Sequence, residues 1–255
     1  MTALTLQEYE RLNPCCEITH AGTRMVFSTP TLFTKGRVDT IYSKEPCTLE
    51  WIASFAASDV FIDVGANVGM YSIWAAATQQ TQVFAFEPEA QNYALLNRNI
   101  LLNNLSGRVK AYCMGLSDQP GLTSLHMQDL RPGGSNHALG EALDFRHQPM
   151  KTSFEQGCIA DTLDRLVASG EVPLPNHVKI DVDGFENKVI AGARDILKNP
   201  EMRSLLIETN AALPAHRSMI VELTDLGFKY DPAQVHRATR KEGPFQGVAE
   251  YVFKR

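Results

Sequence analysis

The sequence predicts an α/β domain built on a parallel sheet with helices on both faces. Three observations carry this. From residue 60 onward, short apolar runs alternate with longer stretches whose apolar residues recur at helical spacing. The first run, Val60-Phe61-Ile62-Asp63-Val64, passes directly into Gly65-Ala66-Asn67-Val68-Gly69. Several later runs also end on an acid, at Glu87, Asp181 and Glu208. A chain of 255 residues accommodates one such domain with a small N-terminal extension, placed at 1–50 ahead of a core at 51–255.

Taken in order, 1–50 is the least regular part. Ile18, Val26, Phe27 and Leu32 sit among Thr, Ser, Gly and Pro, which predicts short strands or an irregular flap. The segment 48–57 reads as a helix with Thr48 as N-cap and Trp51, Ile52 and Phe55 on one face. Asp59 belongs to the turn into the strand 60–64, and 71–77 is the helix that follows. Next come a strand at 82–86, an amphipathic helix at 89–104 with Tyr93, Leu95, Leu96, Ile100 and Leu101 on its apolar side, and a strand at 108–113. Further on, 163–167 and 187–197 read as helices, 177–182 and 204–208 as strands, and 219–226 as a helix. The runs 228–230 and 248–253 close the chain as a strand pair. Between 116 and 161 the rhythm breaks. Residues 122–126 suit a short strand, 131–136 a flexible loop, and so long an aperiodic stretch points to a lid or binding loop.

Composition excludes several functions. A formal charge of −5 leaves no electrostatic footprint for nucleic acid, and no basic run marks a membrane surface. No uninterrupted apolar segment is long enough to span a bilayer, and 1–13 lacks the apolar core of a signal peptide. The five cysteines fit neither a zinc nor a redox spacing. Reduced thiols in a cytoplasm are the simplest account.

The turn at 65–69 is the first candidate site. Gly65 permits a sharp turn and a close approach to a ligand, and Gly69 lets the new helix sit against the strand. Asp63 stands at the carboxyl edge of the sheet, where a carboxylate suits a cationic amine. A dinucleotide fingerprint needs glycines at its first, third and sixth positions, but counting from Gly65 gives Asn67 and Met70. A phosphate loop is missing its Gly-Lys-Ser/Thr. S-adenosylmethionine, which carries no phosphate, suits the turn better. Glu87, a little over twenty positions beyond Gly65, stands where nucleotide-binding α/β folds hold a ribose diol.

A third dense site is Lys179-Ile180-Asp181-Val182-Asp183-Gly184-Phe185-Glu186. Asp181 faces the ligand crevice, whereas Asp183 alone suits a helix cap and Glu186 alone a helix-dipole partner. Asp181, Glu208 and Asn210 offer oxygen ligands compatible with a divalent cation such as Mg²⁺ without requiring one. Of His126, His137 and His216, all placed in loops near the ligand edge, His137 is the best situated general base, with a surface histidine as the bland alternative.

These sites in this order resemble the FkbM family of S-adenosylmethionine-dependent methyltransferases. The likeness rests on 62–69, Phe86-Glu87-Pro88, Gly115-Leu116-Ser117-Asp118, Thr162-Leu163-Asp164, 179–186 and Ile190-Ala191-Gly192-Ala193, so it spans about 59–210. Asp183 replaces the family's usual glutamate. Lys44-Glu45-Pro46 with Thr48 is similar to a subgroup. The resemblance implies a Rossmann-like class I methyltransferase sheet of seven strands, the last antiparallel. It implies O-methylation of a hydroxyl on a glycan, sugar or polyketide-like small molecule. It also places Asp63, Gly65, Asn67 and Gly69 along the cofactor's methionine part, Glu87 on its ribose, and Ser117 or its backbone beside the adenine. Asp181 or His137 would take the hydroxyl proton. A methyltransferase-like module that binds without turnover is the alternative, and an oxidoreductase a weaker one. An exposed N-terminal flap would also serve a homo-oligomer.

Overall fold

A computed structural model describes residues 4–255; the first three residues of the expected extension lie outside the described residues. The chain opens with α1 (Leu6–Arg11), a hairpin of β1 (Cys15–His20) and β2 (Thr23–Ser28), then α2 (Leu32–Asp39) and α3 (Pro46–Ile52). The alternating core begins with β3 (Val60–Val64), α4 (Met70–Thr78), β4 (Gln82–Phe86), α5 (Ala90–Leu102) and β5 (Val109–Tyr112). An insertion follows, with β6 (Gly115–Leu116), β7 (Gly121–Met127), β8 (His137–Leu139) and β9 (Phe154–Asp161). The core resumes with α6 (Leu163–Ala168), β10 (His177–Ile180), α7 (Glu186–Ala191), α8 (Arg194–Lys198) and β11 (Ser204–Asn210). It closes with α9 (Pro214–Asp225), β12 (Lys229–Tyr230), α10 (Pro232–Ala238) and β13 (Val248–Lys254).

The central sheet has seven strands in the order β12-β13-β11-β10-β3-β4-β5. Its pairings from β11 to β5 are parallel, and β13 runs antiparallel to both β11 and β12. The expected sheet with its last strand reversed is therefore present. Period-two alternation along β3 divides the core. Ile62 and Val64 pack with Val189, Leu197 and Leu223 of the C-terminal helices. Phe61 points the other way, into Trp51, Ile73, Trp74 and Leu96, and Met25 and Phe27 of β2 join that second core. No helix among the described residues is long and apolar enough to cross a membrane.

Several elements differ from expectation, each for a local reason. The helix expected at 48–57 begins at Pro46, whose fixed φ suits a first turn, and ends at Ile52, so Thr48 is inside the helix and Glu45 holds the cap position. The predicted helix 187–197 breaks into α7 and α8 at Gly192. A Cβ there would meet the Ser117 carbonyl oxygen at 2.1 Å, so the chain turns to admit the β6 edge. Along α5, Leu101 faces solvent, while Asn99 faces inward and the half-buried Asn103 caps the helix's C-terminus. Their amides bond the β2 backbone (Ser28 N–H to Asn99 Oδ1, 2.7 Å; Val26 N–H to Asn103 Oδ1, 2.8 Å) in place of a neighbouring strand. The flap is thus a hairpin clamped onto α5, and Leu32 starts a helix. Residues 115–161 form a four-stranded sheet, β6-β9-β7-β8, of which only the strand near 122–126 was expected.

Gly192 has φ −86°, which any residue adopts, so replacing it costs steric room rather than backbone freedom. Gly192→Ala is expected to lower unfolding free energy in urea by about 1–3 kcal/mol. Gly107→Ala, whose Cβ meets nothing within 4 Å, should change it by a few tenths at most. Equal effects from the two would contradict this account of the helix break.

Candidate active site

The carboxyl ends of β3, β4 and β10 and the second sheet enclose a cavity of about 260 Å³. Its floor is set by the first glycine turn. Gly65 adopts φ +76°, and a Cβ on it would lie 2.0 Å from the Asp181 carbonyl oxygen. The close approach expected of Gly65 is therefore to the next strand as well as to the cavity it borders. Gly69 caps α4 at φ +82°, and its missing Cβ makes room for Leu96 of α5, a helix–helix contact rather than the expected helix–strand one. Between them Asn67, at φ +52°, turns its N–H onto Glu87 Oε2 at 2.7 Å.

Glu87 borders the cavity at the end of β4, and its other oxygen accepts the Glu89 N–H at 2.9 Å. Each carboxylate oxygen has two lone pairs, so one on each stays open to a hydroxyl donor. Burial pushes the Glu87 carboxyl up to about 7 against the pull of those two N–H groups. Ser117 lies in the same wall, beside Phe86 and Leu116, with its hydroxyl on Asp118.

The roof is the loop expected to be flexible, and it is held at many points. Gly134 C=O accepts from Asn67 Nδ2 (2.6 Å) and Asn92 Nδ2 (3.1 Å), and Gly133 N–H donates to Asn92 Oδ1 (2.8 Å). Arg37 Nε donates to Gly133 C=O (2.8 Å) and Thr31 Oγ1 to Pro132 C=O (3.1 Å). Asp183 accepts from the Asn136 N–H (2.7 Å) and the His137 N–H (3.3 Å). It is a loop anchor rather than the simple helix cap the sequence allowed, and burial followed by the nearby Asp181 charge pushes it up to about 6. His137 borders the cavity from this roof, and both of its ring nitrogens are buried with no hydrogen-bond partner among the described residues. Burial lowers its pKa, which favours the neutral ring, with the Asp129 charge opposing.

Asp63 does not border this cavity. The alternation that sends Ile62 and Val64 one way sends Asp63 beneath α4, where Oδ2 accepts from Ser72 Oγ at 2.6 Å and Oδ1 has no partner among the described residues. Its neighbour across β10 is Lys179, only 2% exposed, whose Nζ reaches Asp181 Oδ2 at 2.8 Å. Burial favours the neutral acid at Asp181, but the Lys179 and Lys44 charges win and hold it well below the usual carboxylate range. Glu208 and Glu250 face each other across β11 and β13, and Arg240 bridges them at 2.6 and 2.9 Å. Asn210 lies apart from the cavity lining, its Oδ1 accepting the Ala212 N–H. Among the described residues no group of three or more His, Cys, Asp or Glu is arranged to hold a metal ion. His216 is buried, accepting the Asn210 N–H on Nδ1 and donating from Nε2 to the Gly184 C=O. His126 lies beside Glu155, outside the cavity lining.

The structure thus gathers Gly65, Asn67, Glu87, Ser117, His137, Asp181 and Glu208 around one space. Arg37, Lys44, Lys188, Arg240 and Phe245 also border it and were not singled out as site residues from the sequence. Lys44 alone had a signal, the Lys44-Glu45-Pro46 string; Arg37 and Arg240 stand in ordinary polar surroundings.

Comparison with known proteins gives a consistent result. Residues 63–230 match the family described as methyltransferase FkbM domain. The hexuronic acid methyltransferase AglP of Haloferax volcanii is 31% identical over 157 residues, 61% of this chain and 57% of that protein, so the match spans little more than half of that relative. The 31-O-demethyl-FK506 methyltransferase FkbM of Streptomyces tacrolimicus is 26% identical over 71% of this chain and 77% of its own. Among solved structures, TYW2 of P. horikoshii in complex with MeSAdo superposes with a TM-score of 0.47 at 13% identity, covering 95% of this chain and 70% of that one.

The buried acids have a consequence for stability. Glu87, Glu186 and Glu250 are raised to about 7, 8 and 7 from 4.5, chiefly by burial, so the folded protein keeps protons that the unfolded chain releases. Stability from these groups is complete below the unfolded value and falls as pH rises through the folded ones. The lowered pKa values of His137, His177 and His216 act oppositely, but only below about 6.5. The urea midpoint of the ligand-free protein is therefore expected to fall between about pH 6.5 and 8, and Glu186→Gln should flatten the fall. A midpoint that rises over this window would contradict the assignment.

Proposed function

The chain belongs to the methyltransferase FkbM domain family, and from that premise we propose that it transfers a methyl group from S-adenosylmethionine to a hydroxyl oxygen of a sugar, glycan or polyketide-like acceptor. The observation that carries the reading is Glu87. A buried carboxylate with one open lone pair on each oxygen suits the two donors of a ribose diol and repels a phosphate. The remaining lining fits the same molecule. Phe86, Leu116 and Leu139 offer apolar surface to an adenine, and the glycine turn leaves room for the methionine part. Names of relatives support the acceptor class, one acting on a hexuronic acid and one on demethyl-FK506.

When bound, the methyl donor supplies a sulfonium-activated methyl group. The residues of this chain then have separate tasks. Glu87 orients the ribose, and the roof at 131–136 keeps bulk water from the reacting atoms. His137 accepts the proton of the acceptor hydroxyl on a free ring nitrogen as the oxygen takes the methyl. Asp181 is the weaker base, because Lys179 holds it ionised with low proton affinity. The Asp129 charge favours the positive charge that develops on His137, against burial and the Arg37 charge. A divalent cation at Asp181, Glu208 and Asn210 has less support, since Lys179 and Arg240 already occupy the two acids and the Asn210 carbonyl is used locally. The proposal sets this reaction in a cytoplasm, consistent with free thiols at the exposed Cys15 and Cys113.

The test is transfer of labelled methyl from S-adenosylmethionine to a panel of hexuronic-acid glycans, neutral sugars and hydroxylated macrolides. His137→Gln is expected to lower kcat by about 10²–10⁴-fold while leaving cofactor affinity nearly unchanged. Glu87→Gln should weaken cofactor binding by about tenfold or more. Cofactor binding without transfer to any acceptor would favour a binding module instead.

A further inference from the structure

A second cavity of about 50 Å³ opens off the same glycine turn on the side of the N-terminal segment. Arg37, Lys44, Gly65, Asn67 and Asp181 border both cavities. We propose that Arg37 binds the carboxylate of the methyl donor's amino-acid end, so that α2 forms part of the cofactor site. The inference rests on the cofactor reading above and adds a residue from the N-terminal segment to it.

Charge matching leads to this residue. Four other cations border these cavities, and each already has a carboxylate. Lys44 pairs with Glu45 at 2.8 Å, Lys179 with Asp181, Arg240 with Glu208 and Glu250, and Lys188 with Glu141. Arg37 makes no ion pair among the described residues. Its Nε donates to the Gly133 C=O at 2.8 Å and its Nη2 reaches the Gly134 C=O at 3.5 Å, so roof carbonyls hold the guanidinium. Nη1 has no partner among the described residues. A guanidinium with free donors in a fixed plane is matched to a carboxylate.

The acids complete the match. A carboxylate entering the second cavity meets the acids Glu45 and Asp181 there and is repelled unless a cation receives it. An amino-acid end is zwitterionic, and Asp181, ionised and 24% exposed, offers the anion that its ammonium needs. A space of about 50 Å³ between Arg37 and Asp181 suits a group of that size and no larger part of the cofactor.

Titration calorimetry with S-adenosylhomocysteine and with its decarboxylated analogue, which keeps the amine, tests the assignment. Arg37→Ala is expected to raise the Kd for S-adenosylhomocysteine tenfold or more and to leave the Kd for the analogue within about twofold. Arg37→Lys, which keeps the charge and the fold but loses the fork, should show a smaller loss confined to the same ligand. Equal losses for both ligands would reduce Arg37 to a support for the roof loop and overturn the proposal, as would no loss for either. Wild-type protein that binds neither ligand would overturn the cofactor reading beneath it, a result distinguishable from either of these.

Discussion

The structure depends on the contact between Gly65 and the carbonyl oxygen of Asp181. Two parallel strands end side by side, and the chain must leave the first without striking the second. Only a residue with no Cβ and a left-handed conformation fits, because a Cβ would stand 2.0 Å from that oxygen. Once Gly65 turns, Asn67 follows at φ +52° and its N–H meets Glu87. That bond joins the end of β3 to the end of β4, and its partner at Glu89 N–H fixes the carboxylate on both oxygens. The side chain of Asn67 reaches upward to the roof at Gly134. Floor, wall and roof are therefore tied to a single turn.

Beneath the floor lies a charge arrangement unusual for a protein interior. Lys179 is surrounded by Asp181, Glu45 and Asp63, and burial alone would lower its pKa, but these acids raise it. Removing one member leaves a buried charge uncompensated, which costs about 3–5 kcal/mol. Such a cluster is a poor source of net stability, yet it fixes the ionisation of Asp181 at the cavity edge. Across the sheet, Arg240 bridges Glu208 and Glu250, two acids opposite each other on neighbouring strands, although burial still raises the pKa of both. The site is held ready by ion pairs that are already complete, and Arg37 stands outside that pairing among the described residues.

Much of the sheet was legible because a parallel strand buried on both faces must be an uninterrupted apolar run, as at Phe61-Ile62 and Val83-Phe84. Glu87 was legible because it closes such a run. The insertion was not. In β9 the exposed and buried positions scarcely alternate until Cys158, and Gly157 interrupts the run. The helix α10 has no fully buried residue and turns only Val235 and Ala238 toward the core, too short an apolar stripe to stand out. Asp63 was read one step too far: it shares strand parity with Phe61, not with Ile62 and Val64, which puts it under α4 rather than in the cavity. Arg37 was invisible for a different reason. Its bonds go to Gly133 and Gly134, nearly a hundred positions away, and no local pattern records them.

These parts compose a space whose polar groups match an adenosyl amino acid and whose roof carries an unpartnered imidazole. The central claim is that one ligand touches Glu87, the glycine turn and His137 together. A crystal structure of the protein with S-adenosylhomocysteine tests it most directly. The account predicts both ribose hydroxyls within hydrogen-bond distance of the Glu87 carboxylate and the sulfur facing the His137 side of the cavity. A ligand seated elsewhere, for example in the groove between Tyr112 and Arg165, with Glu87 left free, would contradict it.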